Sequence, residues 1–446
     1  MAQARMVFPP DFLWGTATAA HQVEGNNTNS DWWAWEQEDG RILEGHKSGL
    51  ACNWWQNAEA DLDMAAEMGT NAHRLSLEWS RIEPEPSVFS SEALERYRQI
   101  LQAMQDRGIE PMVTLHHFSN PHWLVEKEDF NSGVVVDYFQ RYTAKVVDAL
   151  GDLAPKWVTI NEPMVYVFMR YLEKVFPAPK QTGWSAAMRA LRNLLRCHAA
   201  AYHTIKEKQP QALVGTAKNM AVFQPRPGGG RVDKWWAGRI SWLFNDLWHD
   251  SLQHGRFRWP VGRGHIKHVQ GSFDFIGINY YTRYYVKFPP QKKLYDDDWG
   301  PDAVVSDGNY GEVYADGIFQ MIKHVLRYDK PIYITENGLP DQADALRPSF
   351  LISHLREIWR AISFCFPVMG YYHWSLVDNF EWDRGWTQRF GLIKMDPETQ
   401  ERRVRASGRL YREICRSGCV TSDMAERYAP ALMKTIFPGQ APQPTP

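Results

Sequence analysis

The chain has 446 residues, 44% hydrophobic and 23% charged, the composition of an ordinary globular protein and not of a disordered, fibrous or disulfide-stapled one. Fifty lysines and arginines face 52 aspartates and glutamates, a net charge of −2 without a long run of either sign, so nothing favours nucleic acid or another polyanion as partner. At about 150 residues per domain the length suggests two or three domains, a rule that single α/β barrels routinely break.

The first residues, MAQARMVFPPDF, hold no apolar run of signal-peptide length, and nowhere do 18 apolar residues follow one another, so neither export nor a membrane span is expected. Cys52, Cys197, Cys365, Cys415 and Cys419 are odd in number and scattered, which suits a reducing compartment, the cytoplasm, better than a disulfide framework. With no export signal, the sequon at Asn26 is read as chance.

Eight short, β-rich apolar runs then follow in order: Phe12 to Ala17, Ala72 to Leu77, Pro111 to His116, Trp157 to Asn161, Leu213 to Ala217, Phe273 to Tyr280, Pro331 to Thr335 and Val368 to Ser375. Between them lie amphipathic stretches: Asn57 to Met68, Ser91 to Arg107, Val134 to Gly151, Ala186 to Lys208, Lys234 to Leu252, Val313 to Tyr328 and Pro348 to Phe364, with a last one near Ser407 to Arg416. Strand and helix alternating eight times predicts a parallel sheet closed into a (β/α)8 TIM barrel, one domain over residues 1–420. Residues 421–446 are expected to form a C-terminal extension, Pro-rich and disordered from Gly439 onward. The long insertions, 18–55, 281–310 and 376–403, all come after strands, where a barrel builds its functional face. A doubly wound sheet would need G-x-G-x-x-G after a strand; the Gly228-Gly229-Gly230 run instead follows Pro-Arg-Pro and reads as a connector.

Two carboxylates sit directly after strands. Glu162 closes Thr159-Ile160-Asn161-Glu162-Pro163, and Glu336 closes Tyr333-Ile334-Thr335-Glu336 before Asn337-Gly338. Across a barrel mouth such a pair can flank one bound bond, the requirement for cleaving a glycoside: one carboxyl donates a proton to the leaving oxygen while the other attacks or activates water. The 20 tryptophans fit a flat, partly apolar ligand such as a sugar.

Phe12 to Gly25 (FLWGTATAAHQVEG), TINEP, GINYYT, YITENG and HWSLVDNFEW, in that order, resemble the signatures of glycoside hydrolase family 1, the β-glucosidase family, from about residue 8 to about 416. The resemblance implies a retaining, exo-acting β-glycosidase that releases terminal non-reducing sugars from small β-glycosides and oligosaccharides by double displacement, without cofactor or metal. Residue by residue, Glu162 matches the acid/base, Glu336 the nucleophile, and Asn161 the partner of the sugar 2-hydroxyl. Arg74 and Tyr281 match the residues that hold the nucleophile, Tyr281 counting among the substrate contacts too. Gln22, His117, Glu381 and Trp382 match the sugar-binding set, and Trp374 matches the aromatic platform. Physical chemistry adds an expectation: Arg74 should lower the pKa of Glu336, while the surroundings of Glu162 should raise its own.

Some positions depart from the family pattern. Phe118 stands where Trp is usual, which bears on the wall of the sugar pocket; Pro340 replaces a small or polar residue and Asn26 a small one. Family members acting on 6-phosphoglycosides carry Ser and Lys beyond the final Trp. Here Asp383 and Arg389-Phe390 stand in that stretch, so an unphosphorylated sugar is expected.

Other signals weigh less. His116 and His117 are strand neighbours on opposite faces, so His117 reads as a sugar ligand and His116 as packing, not as a metal pair. Cys415 and Cys419 lack partners for a metal site, and Asp296-Asp297-Asp298 lacks calcium-loop spacing. Trp32, Trp33 and Trp35 divide evenly between core packing and lining the entrance. Two further functions remain open: a carbohydrate-binding barrel without hydrolysis, disfavoured by the presence of both glutamates, and an endo-acting glycanase, which would share Asn-Glu-Pro but not HWSLVDNFEW.

Overall fold

In a computed structural model, which describes residues 3–127, 129–290, 299–300 and 302–439, eight parallel strands close on themselves. They are β1 (Leu13–Ala17), β2 (Ala72–Ser76), β3 (Glu110–His116), β4 (Lys156–Asn161), β5 (Leu213–Pro225), β6 (Phe275–Val286), β7 (Ile332–Asn337) and β8 (Val368–Trp374). Each neighbours the next in sequence, and β8 returns to β1 with Tyr372 opposite Gly15 and Trp374 opposite Ala17. Every residue of β2, β4 and β7 is buried, as expected where side chains fill the barrel on one face and helices cover the other.

Helices α1 (Trp54–Glu67), α2 (Ser91–Asp106), α3 (Val135–Leu150) and α4 (Trp184–Lys208) follow the first four strands. After β5, α5 starts as Arg231–Ser241, widens into a π-turn at Trp242–Asp246 and ends as Leu247–His254. The ring closes with α6 (Asp316–Val325), α7 (Arg347–Ser363) and α8 (Ala406–Ser417). Local chemistry sets the ends: the Ser90 hydroxyl accepts from the Ala93 amide at the start of α2, and α7 takes a proline into its first turn, where no backbone donor is needed.

Two expectations need correction. β5 and β6 do not stop at Ala217 and Tyr280; they run on side by side to Pro225 and Val286, with Phe223 opposite Tyr284. The polar pair Lys218-Asn219 interrupts the apolar run without ending the strand, because both side chains find partners inside the protein. Nor does the packing change at residue 420: Thr421 pairs with Arg5, and Met424, Met433 and Phe437 belong to the same buried cluster as the barrel. The helix that carries Met424, Ser422–Tyr428, packs against α7 and α8. The Pro-rich end, 440–446, and Asp296-Asp297-Asp298 lie outside the described residues.

Loops at the C-terminal ends of three strands are locked together by Arg170. Its fully buried guanidinium lies 2.7 Å from Asp31 and 2.8 Å from Asp129, and Asn120 donates to Asp31 at 2.8 Å. Removing one member of such a buried ionic cluster leaves an uncompensated charge, so the cluster holds the loops after β1, β3 and β4 in one arrangement around the mouth. No helix among the described residues is long and apolar enough to cross a membrane.

Candidate active site

The chain places its two strand-end carboxylates in one cavity at the mouth of the barrel. Glu162 follows β4 and Glu336 lies near the end of β7; both are almost completely buried, and both line a pocket with His117, Asn161, Tyr281, Trp374, Glu381 and Trp382. Eight of the ten residues singled out from the sequence therefore meet in one place. The other two stand one layer back. Arg74, on β2, reaches the pocket through Glu336 and Asn161, and Gln22 is fully buried behind Glu381, to which its Nε2 donates at 2.9 Å. Gln22 also donates to Asn379 at 3.0 Å, which fixes the amide behind the pocket wall.

The two carboxylates differ in company. Glu336 receives a guanidinium bond from Arg74 at 2.5 Å on one oxygen and the Tyr281 hydroxyl at 2.6 Å on the other. Glu162 receives only amides, from Asn279 at 2.8 Å and Asn219 at 3.2 Å, both on Oε1. Burial and the neighbouring Glu336 charge raise the pKa of Glu162 to about 7. For Glu336 the expected lowering by Arg74 is present, and Tyr281 adds to it, but burial outweighs both and the net direction is upward from 4.5. Desolvation of a carboxylate in an apolar shell exceeds what one cation and one phenol return.

Backbone geometry contributes. Glu162 has φ +43°, in the left-handed region, although the proline that follows it favours extended backbone. Phe118 at φ +70° and Trp382 at φ +47° share the left-handed region; such residues cost on the order of 1–3 kcal/mol each and collect at functional sites. Gly338, after Glu336, has a different reason: a Cβ there would stand 1.8 Å from the Trp374 carbonyl oxygen. Only glycine lets β7 and β8 come that close beside the pocket.

Asn161 ties the pocket floor together. Its Oδ1 accepts from Arg74 at 2.6 Å and from Asn279 at 3.2 Å, while its Nδ2 donates to His117 Nε2 at 2.9 Å. His117 is held neutral by burial, which takes its pKa well below 6.5, so Nδ1 carries the ring proton, and it has no partner among the described residues. His116 points elsewhere, to Asn120 at 3.1 Å and the Phe130 ring. Glu381 is raised to about 8 by burial. Trp382 stacks between His21 and His117, ring centroids 5.9 Å from each, and Phe118 packs on it at 5.2 Å, so the phenyl ring keeps an aromatic wall where an indole would be usual. Trp32 is core, packed against Trp382 and Phe176, whereas Trp33 and Trp35 are half-buried outside the pocket lining. Asp383 lines the pocket as expected, accompanied by Arg384 at 3.7 Å.

Asn279 and Asn219 were not anticipated. Asn279 lies two residues before Tyr281 and so shares its face of β6; it sits opposite Glu336 in the register of β6 with β7, and Thr335 donates to its Oδ1 at 2.7 Å. The alternation within GINYYT carried that signal. Asn219 escaped because its strand was expected to end at Ala217.

A barrel whose mouth holds two buried carboxylates in unequal surroundings, beside a wall of indoles, defines a glycoside hydrolase. The model of glycosyl hydrolase family 1 matches residues 4–419. The chain belongs to that family and is a β-glycosidase. It is 30% identical to β-glucosidase A of Thermotoga maritima over 92% of this chain and 98% of the relative. To the β-galactosidase of Saccharolobus solfataricus it is likewise 30% identical, over 94% and 96%. The solved β-glycosidase of Pyrococcus horikoshii superposes with a TM-score of 0.88 at 36% identity, covering 95% of this chain and 98% of that one.

Proposed function

We propose that Glu336 is the nucleophile and Glu162 the acid/base of a double displacement that removes one sugar from the non-reducing end of small, unphosphorylated β-glycosides and oligosaccharides. One observation carries the assignment: Glu336 is bonded by a cation and a phenol, which favour its anion, whereas Glu162 has no cation of its own and is raised to about 7. At neutral pH, therefore, Glu336 attacks the anomeric carbon as a carboxylate while Glu162 gives its proton to the leaving oxygen. Once the glycosyl ester has formed, the charge of Glu336 is gone. The main electrostatic cause of the raised pKa at Glu162 goes with it, and Glu162 can then take the proton from the attacking water.

The sugar is held by what the pocket leaves unpaired. His117 Nδ1 offers a proton, Asn161 Nδ2 keeps its second hydrogen for the 2-hydroxyl, and Glu381 is the acceptor, oriented from behind by Gln22. Trp374 and Trp382 supply the apolar faces. A phosphate on the sugar would meet the carboxylate of Asp383, which Arg384 accompanies at 3.7 Å. The two named relatives are a β-glucosidase and a β-galactosidase, and the reading takes a terminal glucosyl or galactosyl unit alike. Five cysteines, none joined in a disulfide, support work in the cytoplasm. The test is product analysis: a short β-oligosaccharide should release single monosaccharides with the β-anomer formed first by NMR. Internal fragments, or an α-anomer first, would defeat the reading.

A further inference from the structure

We propose that Lys218 is a positioning residue for the acid/base: its buried ammonium ties β5 to the wide turn of α5 where the strand grips Glu162, and sets a positive charge on the far face of that strand. The proposal rests on Glu162 being the group that gives and takes the proton. β5 holds Glu162 at two residues. The Ala217 carbonyl accepts the Glu162 backbone amide at 2.7 Å, and the Asn219 side chain donates to Oε1 at 3.2 Å. Lys218 lies between them and, by strand alternation, on the other face, between the barrel and α5. In the register of β5 with β6, Asn219 stands opposite Asn279, the second donor to the same oxygen.

The lysine is fully buried. Its ammonium donates to the Asn219 carbonyl at 2.8 Å and to the Phe244 carbonyl, with the Phe244 ring centroid 4.6 Å away. Both acceptors are backbone oxygens, so the charge is solvated by dipoles and a ring face and not by a carboxylate. Neutral bonds already fasten β5 to α5 on either side of it. Asn245 pairs with the backbone of Ala221 at 2.8 and 3.1 Å, and the Trp248 indole donates to Thr216 at 3.2 Å. An apolar side chain at 218 would fill the seam at a lower desolvation cost. What the lysine adds is charge.

That charge has few takers close by. From α5, Asp246 faces it but is engaged by His324 and by Arg327, the latter at 2.7 Å; His249 is kept neutral by burial, with Lys218 contributing. On the pocket side Glu162 faces Glu336, Arg74, Glu381, Tyr281 and Tyr310, all of which a change at residue 218 leaves in place. Burial brings Lys218 down to about 7 while Glu162 and Asp246 hold it up, and Glu162 is raised to about 7 as well. The two groups therefore titrate over one range, and each favours the charged form of the other. Lys218 thus works against burial and the Glu336 charge. It keeps the Glu162 proton transferable, and it favours the carboxylate that must take a proton from water once Glu336 is esterified.

The experiment compares pH profiles of kcat/KM on an alkyl β-glucoside for the parent protein, Lys218→Met and Lys218→Arg. Methionine fills the slot without charge, and arginine restores the charge. The alkaline limb should move upward by about one pH unit in Lys218→Met and return toward the parent position in Lys218→Arg, with the acid limb fixed throughout. A role in packing alone would lower the melting temperature of both variants and leave the limbs where they are; that result, or a downward shift, overturns the inference. Should neither variant fold, the reciprocal measurement decides. In NMR of Cε-labelled lysine, the residue titrating near 7 in the parent protein should titrate lower in Glu162→Gln, which has no charge to hold it up. An unchanged titration removes the proposal. An alkaline limb that persists in Glu162→Gln unseats the acid/base reading and the inference with it, whereas a limb lost there but unmoved in Lys218→Met unseats the inference alone.

Discussion

Glu162 and Glu336 are the same residue at the same station, each at the C-terminal end of a buried parallel strand, each desolvated by the same cavity. Around Glu336 the protein sets Arg74 and Tyr281 at 2.5 and 2.6 Å; around Glu162 it sets two neutral amides at 2.8 and 3.2 Å. Burial alone would push both carboxyls up together. What separates their roles is the company each keeps, and Asn279 stands between them, donating to Glu162 and lying opposite Glu336 in the strand register. The division of labour is a property of the second layer of residues more than of the glutamates.

The sharpest way to break that comparison is to remove each carboxyl in turn. Glu336→Ala should lower kcat/KM for every glycoside by at least about 10⁴-fold, since no covalent intermediate can form. Added azide should restore turnover with an α-glycosyl azide as product, attack now coming from the face that Glu336 vacated. Glu162→Ala should cost about 10²- to 10⁴-fold on alkyl glycosides and far less in the first step with a dinitrophenyl leaving group, which departs without a proton; azide there should give the β-product. Steady-state rates and NMR of the azide adducts check both. Equal losses on the activated substrate, or azide products of the same anomeric form, would exchange or erase the roles.

A second measurement asks whether the raised pKa of Glu162 belongs to the folded protein. A carboxyl raised from 4.5 to about 7 on folding keeps its proton in the native state while the unfolded chain loses it. Its stabilising contribution is complete below pH 4.5 and falls as pH rises to 7. At 1.36 kcal/mol per pKa unit the loss by pH 8 is on the order of 3 kcal/mol. Glu162→Gln, which stays neutral and can still accept from Asn279, escapes that loss. Denaturant titrations should therefore show the variant gaining on the parent protein by that order between pH 4.5 and pH 8. A stability difference independent of pH would mean that Glu162 is ionised in both states.

Much of this is legible in the sequence, and the reason is periodicity. Trp157 to Asn161 and Pro331 to Thr335 are apolar because parallel barrel strands are buried on both faces, so their ends, and the glutamates there, stand out against the run. The closed barrel follows from the eightfold alternation of strand and helix, while the pocket residues His117, Trp374 and Trp382 come from the resemblance of their motifs to the family. The missed features share the opposite cause. Lys218 and Asn219 are polar in sequence and buried in the fold; their side chains meet Phe244 and Glu162, 26 and 57 residues away, and no local pattern announces such a partner. The net direction of the Glu336 shift lies beyond the sequence for a related reason: the lowering by Arg74 can be read there and is present, but the depth of burial that outweighs it is a sum over many distant atoms. The placement of Gln22 behind Glu381 is likewise a matter of which side chain arrives first at the pocket wall.

The smallest expected effect tests the amide shell directly. Asn219 donates to Glu162 at 3.2 Å and favours its anion, so Asn219→Ala should raise the pKa of Glu162 further. Asn279 remains on the same oxygen at 2.8 Å, so only one neutral hydrogen bond is lost, a net effect of about 0.5–1.5 kcal/mol. The alkaline limb of kcat/KM, expected near pH 7 in the parent protein, should then move upward by less than about one pH unit. Asn219 has no bond to Glu336, so the acid limb should stay where it is. Lys218, itself lowered to about 7 by burial, donates to the backbone carbonyl of residue 219 at 2.8 Å and keeps that bond when the side chain is cut. The strand therefore holds its position and the shift reports the amide alone. An alkaline limb moving downward, or both limbs moving together, would show that Asn219 acts on the pair as a whole and that the two carboxyls are less separately furnished than their contacts indicate.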